Sequence, residues 1–577
     1  MNYGSRLLIG ATLSIFVAFA QPRSSSSKLA PELAGLDPDS SVDVIVKYKE
    51  QPTDFHRSLA THRGASQVRS LDIINSQHYR MSASQAAELA DDPSVEFVHP
   101  DRQVQATATG AQPDYGWVSL LNLPSATSTY TYGGGGIGVA IIDSGINPSV
   151  DLANEDSSRI VYSQSFVSGD SSTDDRYGHG THVAGIVGAD GSTSSGGNYV
   201  VMGLARSVKL INLRVLDQNG VSTDSAVIAA IQRAIALKST YNIRVINLSL
   251  GRPVTTSYKT DPLCQAVEAA WNAGIVVVVA AGNQGRYSPT SGYGTILSPA
   301  NDPYVITVGA MNTLATLSRT DDKMASYSSK GPTAIDHIVK PDLVAPGNRV
   351  ISLLASNSSL ASNLITAIIS LVNGSNTTTQ YLQLSGTSMA APMVSGTVAL
   401  MLQQTPSLTP DQVKAKLMLT ASKNIPAATC PTGQTCPTQA YKTTTATDPV
   451  LGTAYTTYYD IFTIGAGYLD SNKAVTTAIT STSTLSAVSP TATFNSTTGA
   501  VTVVNGSSVI WGSSVTWGTS VIWGTSVLSG SSVTWGTSVI WGTNTTSANS
   551  VIWGTSVTWG TSAPMGESFV LSLLGEQ

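Results

Sequence analysis

The middle of the chain consists of short apolar runs separated by helical patterns. Gly138-Val139-Ala140-Ile141-Ile142, Val208-Lys209-Leu210-Ile211-Asn212-Leu213, Val245-Ile246-Asn247-Leu248 and Ile275-Val276-Val277-Val278-Val279 are β-branched and mostly continuous in apolarity. Strands buried on both faces read this way, whereas half-exposed strands alternate. Between the runs the period changes. Ser222 to Leu237 places Val227, Ile231 and Ile235 four apart, on one face of an amphipathic helix. Strands alternating with helices over residues 107–480 predict an α/β fold, a doubly wound parallel sheet with helices on both faces. Ligands of such sheets gather beyond the carboxyl ends of the strands, and Asp143 directly follows the first run.

The flanks have other textures. Residues 42–106 read as a small αβ unit, opening on the strand-like Val42 to Tyr48, passing through a helical Ser84 to Ala90, and closing on Val95-Glu96-Phe97-Val98. Residues 21–41, rich in Ser and Pro, read as a linker, and so do residues 481–504. From 505 to 566 the chain repeats: Trp511, Trp517, Trp523, Trp535, Trp541, Trp553 and Trp559 keep one six-residue register. Because six is even, Val and Trp two residues apart share a strand face, so this tract is a β array or a low-complexity segment. Residues 567–577 follow as a tail. At the other end, Arg6, the apolar Leu7 to Phe19 and the small-x-small Ala18-Phe19-Ala20 make residues 1–20 a signal peptide. A membrane-retained anchor is the rival, disfavoured because spanning takes about 20 apolar residues. The expected location is secreted, extracellular or cell-surface associated.

Composition then narrows the function classes. A net charge of −5 with 12% charged residues shows no basic bias toward nucleic acid. Three cysteines are too few to build the fold. Cys430 and Cys436 flank a turn-rich loop that a local disulfide can close, and Cys264 reads as a buried, inert thiol.

Three segments carry chemistry: Ala140-Ile141-Ile142-Asp143-Ser144-Gly145-Ile146, Gly178-His179-Gly180-Thr181-His182-Val183-Ala184-Gly185 and Ser385-Gly386-Thr387-Ser388-Met389-Ala390-Ala391-Pro392. Each alone has a bland reading as a helix cap, a structural histidine or a chance Gly-x-Ser. In the order Asp, His, Ser, with these neighbours, they resemble the subtilase family of serine peptidases. Ala280-Ala281-Gly282-Asn283 is similar to that family's oxyanion segment, and Ile246-Asn247-Leu248-Ser249-Leu250-Gly251 to its substrate-binding strand. Lys340 to Gly347 and Gly465 to Asp470 match further landmarks, and residues 42–106 resemble the family's inhibitory propeptide.

The resemblance implies a secreted serine endopeptidase made as a zymogen. Asp143, His179 and Ser388 would form the triad, and Asn283 with the Ser388 N–H the oxyanion hole. Ser249, Leu250 and Gly251 would pair with substrate backbone, while Ala280, Ala281 and Gly282 shape the pocket for the residue before the cut. Small linings and the neutral Gln284 suggest a roomy apolar pocket. The implied partners are protein or peptide substrates, the chain's own propeptide as intramolecular inhibitor, and a cell surface or insoluble substrate contacted through residues 505–566. No cofactor is required.

Several residues have competing readings. His179 and His182 form an HxxH pair, but no third ligand has zinc spacing, so no metal site is expected. Asp170, Asp174 and Asp175 could bind calcium, but no spacing demands it, and a solvated acidic loop is the better reading. Pro392 reads as a first-turn proline of the helix that Ser388 heads. Residues 351–380 form an insert whose apolar Leu364 to Val372 is open to a helical reading. The rival function is a dead peptidase scaffold that binds surfaces through its repeats. Retention of all four catalytic residue types argues against it.

Overall fold

The computed structural model describes residues 28–106 and 133–504, apart from 154–156, 196–199, 317, 374–376, 431–441, 448–452, 479–486 and 496–499. The expected signal peptide and the Trp-Gly repeats lie outside the described residues.

In the small unit, strands β1 Ser41–Tyr48, β2 Ser66–Leu71, β3 Ser76–Ser82 and β4 Val95–Pro100 form an antiparallel sheet ordered β2-β3-β1-β4. Helices α1 Pro31–Ala34, α2 Asp54–His62 and α3 Ala83–Ala90 accompany it. A capping box starts α3: Ser82 Oγ accepts from Gln85 N at 3.2 Å and Gln85 Oε1 accepts from Ser82 N at 2.8 Å. Leu29, Ala30 and Leu33 are buried with Val44, Val46, Leu89 and Val98. The linker expected over 21–41 is therefore corrected from residue 28 onward, because two leucines around Pro31 complete this core. Strand β5, Gln103–Ala106, then leaves the small unit.

The large unit runs β6 Gly138–Asp143, β7 Ile160–Ser165, β8 Lys209–Arg214, β9 Val221–Thr223, β10 Ile243–Leu248, β11 Leu250–Gly251, β12 Val276–Ala280, β13 Ile306–Asn312, β14 Lys323–Met324 and β15 Leu343–Pro346. Six strands lie parallel in the order β13-β12-β10-β6-β8-β7, with β15 parallel and β14 antiparallel to β13. The apolar runs are these strands. Every residue of β6 and β12 is buried, as continuous apolarity requires. Helices α4 His179–Gly188, α5 Asp224–Ala236, α6 Pro262–Asn272, α7 Thr387–Gln404 and α8 Pro410–Thr420 cover the sheet, α4 packing with α7 and α5 with α6. Strand β6 has β8 on one side and β10 on the other, so the strand order reverses at the end that carries Asp143.

Two further expectations change. Ala487, Ser489 and Ala492 are buried, and Ser489 Oγ donates to Asp342 at 2.6 Å while accepting from Lys414 Nζ at 2.9 Å. Residues 487–492 of the expected linker 481–504 thus pack into the large unit, and the boundary at 480 falls too early. In the insert, β16 Val350–Leu353, β17 Ile368–Asn373 and β18 Thr377–Leu384 form an antiparallel sheet ordered β16-β18-β17. The Leu364 to Val372 stretch is mostly strand, since its β-branched Ile368, Ile369 and Val372 pair with β18. A helical turn at Ser359–Asn363 docks on the loop before His179, where Ser359 N donates to Arg176 O and Leu360 N to Tyr177 O, both at 2.9 Å. Cys264 is buried and free, Cys430 is disulfide-bonded, and Cys436 lies outside the described residues.

Candidate active site

Asp143 ends β6 and His179 opens α4, and both side chains are buried. Asp143 Oδ1 accepts from Ser144 N at 2.8 Å and meets His179 Nδ1 at 2.7 Å. Glycine permits this approach. A Cβ on Gly180 would lie 2.2 Å from Gly145 O, inside the Asp143 loop. Gly178, which caps α4, has φ 104°, a conformation a side chain disfavours.

Asp175 does not sit in a solvated loop. It is buried, accepting from Ser144 Oγ at 2.7 Å, Gly178 N at 2.6 Å and Thr181 N at 2.7 Å. It therefore caps α4 and ties that helix to the Asp143 loop. Burial raises its pKa despite these donors. The exposed Asp174 and the partly exposed Asp170, which pairs with Arg176 and Arg214, fit the solvated reading better. His182 Nε2 lies 3.0 Å from Val350 O and 2.9 Å from Leu382 O, joining α4 to β16 and β18. Burial, and then the nearby His179, lower its pKa to about 3, so it stays neutral.

Ser388 is the second residue of α7 and is buried. Its Oγ donates to Ser249 O at 3.0 Å, and Ser249 Oγ donates back to Ser388 O at 2.9 Å. The reciprocal bond explains Pro392. That proline is the sixth helical residue rather than a first-turn one, so it removes the N–H that Ser388 O would otherwise receive. Ser249 supplies the substitute donor. Its hydroxyl is itself held by Asn247 Nδ2 at 2.9 Å, and Asn247 Oδ1 accepts from Ser395 Oγ at 2.8 Å.

Ala280 closes β12, and Ala281 and Gly282 lead to Asn283. Asn283 Oδ1 accepts from both Thr387 N and Thr387 Oγ1 at 3.0 Å. The carbonyl edge of this amide is thus committed beside the start of α7, and its NH2 forms the opposite edge.

Strand β5 runs antiparallel between β11 and β9. Ala106 stands opposite Leu250, Gln105 opposite Gly251, and Val104 opposite Ser222. Leu250 and Gly251 therefore pair with an extended segment of the chain itself. Ser249 stays outside this ladder, engaged with Ser388. Val104 is buried among the large unit's core residues. Around the strand, Asp101 Oδ1 accepts from Ser225 N at 2.7 Å, capping α5 where the Thr223 side chain caps no backbone N–H. Lys47 Nζ donates to Gln265 Oε1 on α6 at 2.9 Å.

A family model described as the subtilase family matches residues 134–450, more than half of the chain. The chain belongs to the subtilase family of serine peptidases. It is a subtilisin-like serine endopeptidase, and its substrates are proteins. Over 296 residues it is 41% identical to serine protease AprX of Bacillus subtilis, covering 50% of this chain and 61% of that protein. Over 292 residues it is 36% identical to subtilisin DY of Bacillus licheniformis, covering 50% of this chain and 85% of that one. The solved structure of fervidolysin from Fervidobacterium pennivorans, a keratinolytic enzyme related to subtilisin, superimposes with a TM-score of 0.55 at 20% identity. It covers 76% of this chain and 61% of fervidolysin, and shows the shared fold.

Of the residues read from the subtilase's sequence, Asp143 and His179 are in direct contact, and Asn283 lies against the turn of α7 that holds Ser388. Asp175 and the Asn247–Ser249–Ser388 chain were not foreseen. A proline at the sixth position of an apolar helix is the signal that would have exposed the latter, since it leaves one carbonyl in need of a donor.

Proposed function

We propose that this subtilase is secreted as a precursor and cuts proteins through an acyl-enzyme on Ser388. His179 Nε2 takes the Ser388 proton as Oγ attacks the scissile carbonyl, and returns it to the leaving amine. Asp143 holds the Nδ1–H tautomer and stabilises the imidazolium. The oxyanion forms at the N-terminus of α7, where the Ser388 N–H and the Asn283 amide donate to it. Water then attacks the ester with His179 again as base. These steps call on no cofactor.

The observation that carries this reading is the buried 2.7 Å Asp143–His179 bond with His179 Nε2 left unpartnered among the described residues. Ser388 Oγ reaches that nitrogen by exchanging its bond to Ser249 O for one to the imidazole, a rotamer change made with substrate in place. Strand β5 supports self-inhibition, because it already pairs with β11 as a substrate would. Residues 505–566 serve attachment to a cell surface or insoluble substrate.

The test is the purified precursor beside its Ser388→Ala variant. The parent should trim itself to a new N-terminus between Ala106 and Gln112, and the variant should remain whole. Full activity with Val42 still attached, or self-trimming by the variant, contradicts the reading.

A further inference from the structure

Leu297 is only 6% exposed, yet it joins neither apolar core of the described residues. Its side chain lies against two glycines instead. A Cβ added at Gly282 would sit 2.7 Å from Leu297 Cγ and 2.9 Å from Cδ1. One added at Gly251 would sit 3.0 Å from Leu297 Cβ and 3.2 Å from Cδ1. These glycines belong to the two segments that flank the residue before the scissile bond: β11, which pairs with the extended tail, and the stretch leading into Asn283. The backbone holds Leu297 between them. Leu297 N donates to Ala281 O at 3.1 Å, while Ser298 and Arg252 exchange both main-chain bonds at 2.8 and 3.0 Å.

We infer that Leu297 fills the depth of the pocket for the residue preceding the cut and restricts that residue to Gly, Ala, Ser or Thr. The inference rests on the proposed function, which places the scissile bond beside Asn283 and Ser388. It reverses the roomy pocket expected from Ala280, Ala281 and Gly282. The space those small residues leave is taken by a leucine from a later loop. A clamped backbone leaves that leucine little room to yield to an aromatic ring. The chain's own sequence agrees independently. Ala106-Thr107-Ala108-Thr109-Gly110-Ala111 contains only small residues, so any cut there presents a small side chain to the pocket.

The experiment uses mature enzyme, with active sites counted by fluorophosphonate titration, on peptide p-nitroanilides that differ only in the residue before the cut. The parent should favour Ala over Phe in kcat/KM by at least about tenfold, the scale on which an apolar pocket discriminates by size. Leu297→Gly and the milder Leu297→Ala should shift the Phe-to-Ala ratio of kcat/KM toward Phe by about 10- to 200-fold. Both variants should still mature, since their own cut site stays small. A parent that prefers Phe overturns the inference, as does an unchanged Ala-to-Phe ratio in a variant that titrates normally. A parent that is not labelled at Ser388 would instead overturn the proposed function.

Discussion

The large unit's central strands are apolar on both faces, whereas the small unit's sheet spends one face on its own core and the other on contact. Along β1, Val44, Val46 and Tyr48 point into the small core, while Ile45 joins the large unit's apolar cluster and Lys47 reaches α6. Leu71 and Ile74 also join the large cluster. Polar bonds finish the contact: Arg69 donates to Ser225 O and Phe166 O at 3.3 Å, and Asp101 caps α5. A unit below about 80 residues buries modest apolar surface by itself. Its order therefore leans on the docked state, while the catalytic unit stands on a core of its own. The small unit is thus the part that can be lost, and its docking sets β5 between β11 and β9.

The largest effects are expected at the catalytic side. Ser388→Ala should lower kcat by about a million-fold, the figure known for subtilisin, while thermal melting still reports a folded large unit. A variant keeping a tenth of parent activity would remove Ser388 from the chemistry. Asn283→Ala should lower kcat by roughly a hundred- to a thousand-fold, again on the scale of subtilisin, through loss of an oxyanion donor. An effect confined to KM would mean that Asn283 only binds ground state.

The docked side should respond to pH. His99 is buried, its ring 4.3 Å from Phe97, and neither ring nitrogen has a hydrogen-bond partner among the described residues. Burial, then Arg102, Arg252 and Lys47, lower its pKa from 6.5 to about 3, against the opposing pull of Asp261. The neutral ring is thus favoured by docking. That contribution is complete above the free pKa and is lost as pH falls from 6.5 toward 3, by about 30-fold in affinity at pH 5. Inhibition of the mature enzyme by added residues 28–106, measured from pH 7.5 to 5, should weaken accordingly, and His99→Gln should flatten the profile. An identical slope in both would clear His99 of the effect. The smallest change expected is Asp101→Ala. Losing one helix cap is worth about 1 kcal/mol, or roughly fivefold weaker inhibition. Unchanged inhibition would make the Asp101–Ser225 bond incidental.

Much of the catalytic side was legible because its signals are local. Asp143 closes an apolar run, and Gly178 and Gly180 flank His179 in the same helical turn. What stayed hidden depends on distant partners. Ser249 meets Ser388, which is 139 residues away, so a strand pattern around Ser249 shows nothing of that bond. Leu297 lies against Gly251 and Gly282, whose surroundings look open when the glycines are read alone. The Ser/Thr-rich texture of 481–504 concealed that Ser489 bridges the buried Asp342 and Lys414. Likewise, two leucines among serines and prolines disguised residues 28–34 as linker.

In the proposed mechanism one serine, activated by the Asp143–His179 pair, does the chemistry. Mass-spectrometric mapping of a fluorophosphonate adduct on the mature enzyme tests it most directly. The adduct should fall on Ser388 alone, in proportion to lost activity, and His179→Ala should prevent it. Full activity in the presence of the reagent, or an adduct on another residue that abolishes turnover, would contradict the account.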